Sequence, residues 1–361
     1  MMKTVFPLCL MIGLMLAACT AGKVSTSQLP AGIMNSSGSQ KVDATATPGA
    51  MMPTNPEAAH MMEPITAPNV QPAKQTQGSQ LLAYREDDGV KVFELTTYAV
   101  HWPILDDVSV TAYTYNGSVP GPLIRVTEGD RVRMVVKNNL PEPTTIHWHG
   151  VEVPNAMDGM PGMTQEPIQP GETFTYEFVA KPAGTYMYHS HYQGDIQVGA
   201  GLYAPLIIDP KTPVINPPDL DLTLMISEWL VKGELTYAAM PMAGMEPNYF
   251  TINGKAFPAT ETINVKKGQQ VRLRLIGIGQ FIHPIHLHGF PFNVVATDGH
   301  AVPQAAQLTK DTISVAPGER YDVEFTAAEP GQWMLHCHIL HHTTNNNVEP
   351  GGLMLVINVS E

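Results

Sequence analysis

Gly331-Gln332-Trp333-Met334-Leu335-His336-Cys337-His338 restates an earlier stretch of the same chain, Gly184-Thr185-Tyr186-Met187-Tyr188-His189-Ser190-His191. On a β-strand, successive side chains point to opposite faces. His336 and His338 therefore face one way and Cys337 the other. A thiolate with imidazoles is the ligand set of a blue-copper electron-transfer site, and imidazoles on the opposite face suit a second metal. One tripeptide would then join two metal centres through a few covalent bonds.

Three further matches follow in the same order. Asn116-Gly117 and Val126-Thr127-Glu128-Gly129-Asp130-Arg131-Val132-Arg133 return as Asn253-Gly254 and Val265-Lys266-Lys267-Gly268-Gln269-Gln270-Val271-Arg272. His147-Trp148-His149-Gly150 returns as His286-Leu287-His288-Gly289, and Pro170-Gly171-Glu172 as Pro317-Gly318-Glu319. Ordered matches of this kind mean two copies of one domain. The joint falls near Asp209-Pro210 and Asn216-Pro217-Pro218. Short runs of β-formers such as Val132-Arg133-Met134-Val135-Val136 are punctuated by Gly, Pro and Asn, and nothing reads as a long amphipathic helix. The pattern predicts an all-β chain, and copies of roughly 130–150 residues suit Greek-key β-sandwiches.

The 361 residues are enough for two sizeable cores. A formal charge of −13 disfavours nucleic acid as a partner and otherwise favours solubility. Residues 1–18 read as a secretory leader, with Lys3 followed by a mostly apolar run from Val5 to Ala18. That run is too short for a membrane-spanning helix. Leu16-Ala17-Ala18-Cys19 resembles a bacterial lipobox, which implies cleavage before Cys19 and lipidation there. Thr20 rather than Asp after it resembles an outer-membrane sorting signal in a Gram-negative host. The expectation is an exported, membrane-anchored, periplasmic lipoprotein. Residues 19–80 are rich in Ser, Thr, Gly, Pro, Ala and Gln and read as a disordered tether. The tether carries Met51-Met52 and His60-Met61-Met62, thioethers of the kind that suit Cu(I). The two domains are expected at 81–212 and 213–361. Cys9 and Cys19 belong to the leader region, so Cys337 is the lone cysteine of the body, and no internal disulfide is expected there.

His-x-His occurs at His147/His149, His189/His191, His286/His288 and His336/His338. Fourteen His in 361 residues would produce about 0.5 such pairs by chance. On a strand each pair presents two imidazoles to one face, and eight neutral imidazoles suit several copper ions. His283 precedes His286 by an odd number of residues and faces the other way, toward Cys337. His342 lies beyond the strand, where a loop can fold back. His283, Cys337 and His342 then complete a His₂Cys set, with His341 the neighbouring alternative. For the axial position, Leu353 shares a face with the core-facing Leu355 and Ile357. Met354 is the alternative, brought in by a bulge at Gly351-Gly352.

His-Trp-His-Gly, His-Ser-His, His-Pro-Ile-His-Leu-His-Gly and His-Cys-His-x3-His, in that order, resemble the four copper motifs of the multicopper oxidases, the laccase family. The likeness covers about residues 85–361 and is similar in plan to the small, two-domain laccases. It implies tandem cupredoxin-like Greek-key domains, with one type 1 copper at His283, Cys337 and His342. It implies a type 2 copper at His147 and His286. A type 3 pair would sit at His149, His189, His191, His288, His336 and His338, making four coppers per chain. Ser190 replaces the cysteine in the first repeat, so a second blue copper is not expected. The family relatives assemble as homotrimers with each cluster between domain 1 of one subunit and domain 2 of the next. Asp158 matches a family acid that assists proton delivery to oxygen. Two departures stand out: the segment from Thr343 to Gly352 is longer than the usual spacing, and Thr343 takes the place of a common acid.

The implied activity is oxidation of a small reducing substrate or metal ion, with four one-electron steps reducing O2 to two waters. Phenols, aromatic amines and Cu(I) are the candidate donors. Met157, Met160 and Met163, and Met240, Met242 and Met245, form two Met-rich stretches. They read equally as Cu(I)-gathering loops or as flexible apolar filling. A two-domain copper nitrite reductase would need its blue-copper cysteine in the first repeat. A periplasmic copper-storage lipoprotein would not need His-Cys-His.

Overall fold

A computed structural model describes residues 63–361. Cys9, Cys19, Met51, Met52, His60, Met61 and Met62 lie outside the described residues.

Alternation shapes each strand. Over Arg131–Asn138 the side chains of Val132, Met134, Val136 and Asn138 are buried, while those between them are partly or fully exposed. Gln270–Gly277 repeats this with Val271, Leu273 and Leu275 inward. The Asn-Gly pairs close tight turns. Asn116 and Gly117 have φ of 56° and 84°, and Asn253 and Gly254 have 50° and 73°. Both central residues are left-handed, which is the hairpin geometry Asn-Gly favours.

The first half contains β1 (Gln71–Pro72), β2 (Val90–Pro103), β3 (Ser109–Tyr115), β4 (Ile124–Thr127), β5 (Arg131–Asn138), β6 (His147–His149), β7 (Thr173–Val179), β8 (Gly184–His189) and β9 (Tyr203–Asp209). One sheet runs β1-β2-β5-β7 with β3 also on β2, and the other runs β4-β9-β8-β6. The second half contains β10 (Leu220–Lys232), β11 (Tyr249–Ile252), β12 (Ile263–Lys266), β13 (Gln270–Gly277), β14 (His283–Leu287), β15 (Phe292–Thr297), β16 (Thr312–Val315), β17 (Arg320–Thr326), β18 (Gly331–Cys337) and β19 (Met354–Ser360). Its sheets run β10-β13-β17-β15, with β11 on β10, and β12-β19-β18-β14-β16. Matching strands pair in matching senses: β2 with β5 and β10 with β13 are parallel, as are β4 with β9 and β12 with β19. The duplication seen in the motifs is thus a duplication of topology, two cupredoxin-like sandwiches each around its own core. The first half's last strand ends at Asp209 and the second's first strand begins at Leu220.

A third apolar cluster joins the halves, with Trp102, Val119 and Met187 of the first against Met225, Trp229 and Ile276 of the second. Trp102 donates its indole N–H to the Gly254 carbonyl at 2.7 Å. Beside it lies a buried charge network. Arg274 donates from Nε and Nη2 to the two oxygens of Asp221 at 2.7 and 2.8 Å, and from Nη1 to Asp322 at 2.9 Å. Thr185 of the first half donates its hydroxyl to Asp322 at 2.7 Å. Burial raises the Asp322 carboxyl while the Arg274 guanidinium opposes that rise. Arg274→Met removes the only cation bonded to Asp322 among the described residues and is expected to destabilise the chain by about 3–5 kcal/mol, the usual cost of breaking a buried pair. An unchanged denaturant midpoint would show that the network contributes no stability.

The expected start of the body at Leu81 is corrected. Residues 63–80 lie on it. Ile65 is buried in the first core and donates its N–H to Thr236 O at 2.8 Å. Gln71–Pro72 runs parallel to β2, with Gln71 opposite Val100. The polar composition signalled disorder, but one buried apolar anchor and an edge strand, where proline is tolerated, suffice to seat the segment.

Candidate functional site

Strand register assembles the histidines. β6 and β8 are antiparallel with His147 opposite His189, and β14 and β18 place His286 opposite His336. Directly opposed residues share a face. In the first half the ring of His147 lies 5.7, 5.5 and 5.5 Å from those of His149, His189 and His191. In the second, His286 lies 5.0, 5.7 and 5.7 Å from His288, His336 and His338. Ring nitrogens approach closely in both sets: His149 Nδ1 to His189 Nε2 at 3.2 Å, and His288 Nε2 to His336 Nε2 at 3.0 Å. Each set gathers four imidazoles, and in the first the ligand atoms of His147, His149 and His189 lie within 4.8 Å of one another. Among the described residues no ring of one set contacts a ring of the other. The first set instead borders a cavity of about 430 Å³ shared with Glu228, Gln280 and Gly318 of the second half.

Outer partners orient the rings. His147 Nδ1 is 2.8 Å from the Asp158 carbonyl and 3.5 Å from its carboxylate. Asp158 thus lies beside His147, and Gly159 after it is required. Its φ is +85°, and a Cβ there would lie 1.8 Å from Ile146 O. His286 Nδ1 is 2.9 Å from the Asp311 carbonyl and 4.0 Å from its carboxylate. Asp311 escaped the sequence reading because the repeat does not align it. Asp158 follows its histidine by 11 residues and Asp311 by 25.

The opposite face of β14 and β18 carries the second centre. Ile285 opposes Cys337, so His283, two residues earlier, shares the cysteine's side. His283 Nδ1 and His342 Nδ1 are 3.0 Å apart, and Cys337 Sγ lies 3.8 and 3.5 Å from them. All three residues are buried. Two imidazole nitrogens and a sulfur at these separations leave room for one ion roughly 2.0–2.3 Å from each donor, so the residues fit a copper of the His₂Cys kind. His341 is exposed and lies edge-on to Phe250, outside this set.

The long segment after His342 folds away as a hairpin. Asn345 and Val348 bridge, with Asn346 and Asn347 left-handed at φ 46° and 68°. The Leu353 N–H then donates to His342 O at 2.9 Å, and Cys337 N–H donates to Leu353 O at 3.0 Å. The extra residues are looped out, and Leu353 packs in the buried cluster that holds Cys337. Met354 opposes His336 and therefore shares the histidine face.

The corresponding place in the first half is filled. Thr144, three residues before His147, and Ser190 both bond the Gln197 carbonyl oxygen, at 2.8 and 2.6 Å. Gln197 donates to Glu142 Oε1 and Pro143 O. This hydrogen-bonded group occupies the positions that His283 and Cys337 hold in the second half.

The Met-rich stretches are divided. Met240 and Met245 are buried with Leu230, Ala238 and Ala239, and Met157 packs on the first core. Met242 and Met163 are exposed.

Burial tunes the ligands. It pushes His149 down to about 4, with the Arg320 charge assisting, and His189 and His342 down to about 3. These rings are neutral at pH 7, ready to ligate. Burial pushes the Cys337 thiol up to about 12, so metal uptake must displace its proton. The unfolded chain, with ordinary imidazoles near 6.5, takes up protons first on acidification. Stability present above about pH 6.5 is therefore lost progressively as pH falls toward 4–3. The metal-free protein is expected to show a falling Tm from pH 7 to about pH 4. A flat Tm over that span would mean that the rings stay protonatable in the fold.

Two cupredoxin-like sandwiches bearing four His-x-His pairs and one His₂Cys set define a multicopper protein. Multicopper oxidase family models match residues 96–213 and 233–359. The solved blue copper oxidase from Nitrosomonas europaea is 39% identical, with TM-score 0.69, covering 74% of this chain and 85% of that one. The multicopper oxidase mgLAC is 38% identical, with TM-score 0.69, covering 74% and 86%. A copper resistance protein A homolog of Pseudomonas syringae pv. tomato is 31% identical over 64% of this chain and 47% of its own length. The chain spans about half the length of the curated relatives it matches. It belongs to the multicopper oxidases.

Proposed function

We propose that the chain is a copper-dependent oxidase that couples four one-electron oxidations of a small donor to reduction of O2 to two waters. The observation that carries this reading is the opposed placement on β18: Cys337 with His283 and His342 on one face, His336 with the second imidazole set on the other. His283, Cys337 and His342 would hold a type 1 copper, and Leu353 packs in the same buried cluster as Cys337. His147 and His286 would hold a type 2 copper. His149, His189, His191, His288, His336 and His338 would hold a type 3 pair, making four ions per chain. Copper, when bound, supplies one-electron cycling and oxygen reduction. The protein's part is to keep the imidazoles neutral, to bury the thiol, and to join the two centres by the covalent path His336-Cys337-His338. The Asp158 carboxylate, 3.5 Å from His147 Nδ1, supports the reading of Asp158 as the acid that would hold and release a proton near the first set.

Each half presents only four imidazoles, and the two sets do not meet within one chain. This supports a homotrimer whose clusters form between neighbouring subunits. The relatives named copper resistance protein A support a role in copper tolerance, with Cu(I) as donor beside phenols and aromatic amines. The Cys19 reading adds export, lipid anchoring and a periplasmic site. The first half offers Ser190 where a two-domain nitrite reductase needs its thiolate. The test is a visible spectrum of the copper-loaded protein, followed by oxygen uptake with a phenol and with Cu(I) as separate donors. A blue band and O2 consumption are expected, and the faster donor names the substrate class. No blue band would overturn the Cys337 assignment, and blue without uptake would overturn the oxidase.

A further inference from the structure

We propose that Glu228 is a positioning residue of the His283–Cys337–His342 centre: its buried carboxylate holds the His283 ring with Nδ1 toward Cys337 and lowers the reduction potential of a copper bound there. The inference rests on the type 1 reading of that centre and goes beyond it. Glu228 stands in the middle of β10, flanked by buried residues from Leu224 to Leu230. A carboxylate in such a run is costly unless several donors meet it. Three do. His283 Nε2–H donates to Oε1 at 2.6 Å, Phe281 N–H donates to Oε1 at 3.2 Å, and Gln280 N–H donates to Oε2 at 3.2 Å. The Glu228 side chain is 3% exposed, and no Lys or Arg pairs with it among the described residues.

The seat is built by the backbone. The loop before β14 passes so close that a Cβ on Gly279 would lie 1.7 Å from Glu228 Oε2. Only glycine lets the next two N–H groups close on the carboxylate. The same carboxylate orients the imidazole: with Nε2 engaged on Oε1, Nδ1 is the nitrogen that faces Cys337 Sγ, at 3.8 Å. Outer hydrogen bonds of this kind orient a ligating histidine and raise its basicity. Charge points the same way. Copper(II) with a thiolate carries +1 and the carboxylate makes the buried group neutral, whereas copper(I) leaves it at −1. Little solvent screens that difference, so the oxidised state is favoured. The shift narrows the usable donors to stronger reductants.

The experiment uses the full-length, copper-loaded chain and Glu228→Gln. The visible band, the potential from a redox titration of that band, and the Tm of the metal-free form are recorded. A retained blue band is expected, with the Cu(II)/Cu(I) equilibrium moved about tenfold toward Cu(I), a rise of about 59 mV for one electron. A folded, blue variant whose equilibrium moves less than about twofold, or toward Cu(II), overturns the proposal. Gly279→Ala keeps the charge but pushes the carboxylate from its seat. It is expected to move the potential in the same direction by a smaller factor and to displace the band. If Glu228→Gln does not fold, an unmoved potential in Gly279→Ala overturns the proposal. A wild-type protein with no blue band overturns the type 1 reading itself, a distinct result from a blue protein indifferent to Glu228.

Discussion

Cys337→Ser is expected to remove the blue absorption and to bring donor-driven oxygen uptake to background. The sulfur is fully buried and faces two imidazole nitrogens at 3.5 and 3.8 Å. A hydroxyl is nearly the same size but is a hard, weakly acidic donor, unsuited to the soft ligand position of a blue-copper site. The fold should survive. The change buries one hydroxyl, which costs about 1–3 kcal/mol if it finds no partner, and His283 or His342 Nδ1 stands ready to accept. The checks are the visible spectrum, copper content, oxygen uptake and the Tm of the metal-free form. Retained blue colour in Cys337→Ser would remove Cys337 from the ligand set. Lost colour together with a collapsed Tm would reassign the residue to the core.

The second large effect is restoration of activity by mixing two dead variants. His149→Ala with His189→Ala disables the first imidazole set, and His288→Ala with His336→Ala disables the second. Neither variant should consume oxygen. If clusters form between domain 1 of one subunit and domain 2 of the next, co-assembled chains carry some interfaces in which both halves are intact. Random pairing around a closed ring of heterologous contacts predicts about a quarter of wild-type activity. A chain that closes the cluster within itself recovers none. The expectation follows from geometry: rings within each set lie 5.0–6.2 Å apart, yet none touches the other set. The size of the assembly in solution, measured on the same samples, gives an independent check.

Much of this centre was readable from local periodicity. The placement of His336 and His338 opposite Cys337, and of His283 on the cysteine side of β14, needs only the alternation of side chains along a strand. In the register His336 opposes His286 and Cys337 opposes Ile285. The choice of His342 over His341 is a matter of loop direction, which no periodicity describes. It depends on a short helical turn at Leu340–Thr343. The Leu353 placement was legible from its shared parity with Leu355 and Ile357. Its approach to His342 was hidden, because it depends on the Asn345–Val348 hairpin looping out the intervening residues. The Met-rich stretches looked alike in sequence and parted in space: Met240 and Met245 went into the core, and Met242 to the surface. Composition misjudged residues 63–80, where a single buried Ile65 and one edge pairing outweigh a polar, Pro-rich stretch.

The chain's residues alone determined which donors exist, which face of which strand each one occupies, and that the domain is present twice. These are local properties, set by a period of two residues and by Asn-Gly and Pro-Gly turns. The tertiary structure alone decided what stands behind each donor. Glu228 reaches His283 across 55 residues of sequence, and Asp311 reaches His286 across 25. Such partners are set by where neighbouring strands and loops return. The energy that places a carboxylate there comes from backbone donors and a glycine whose position no local pattern announces.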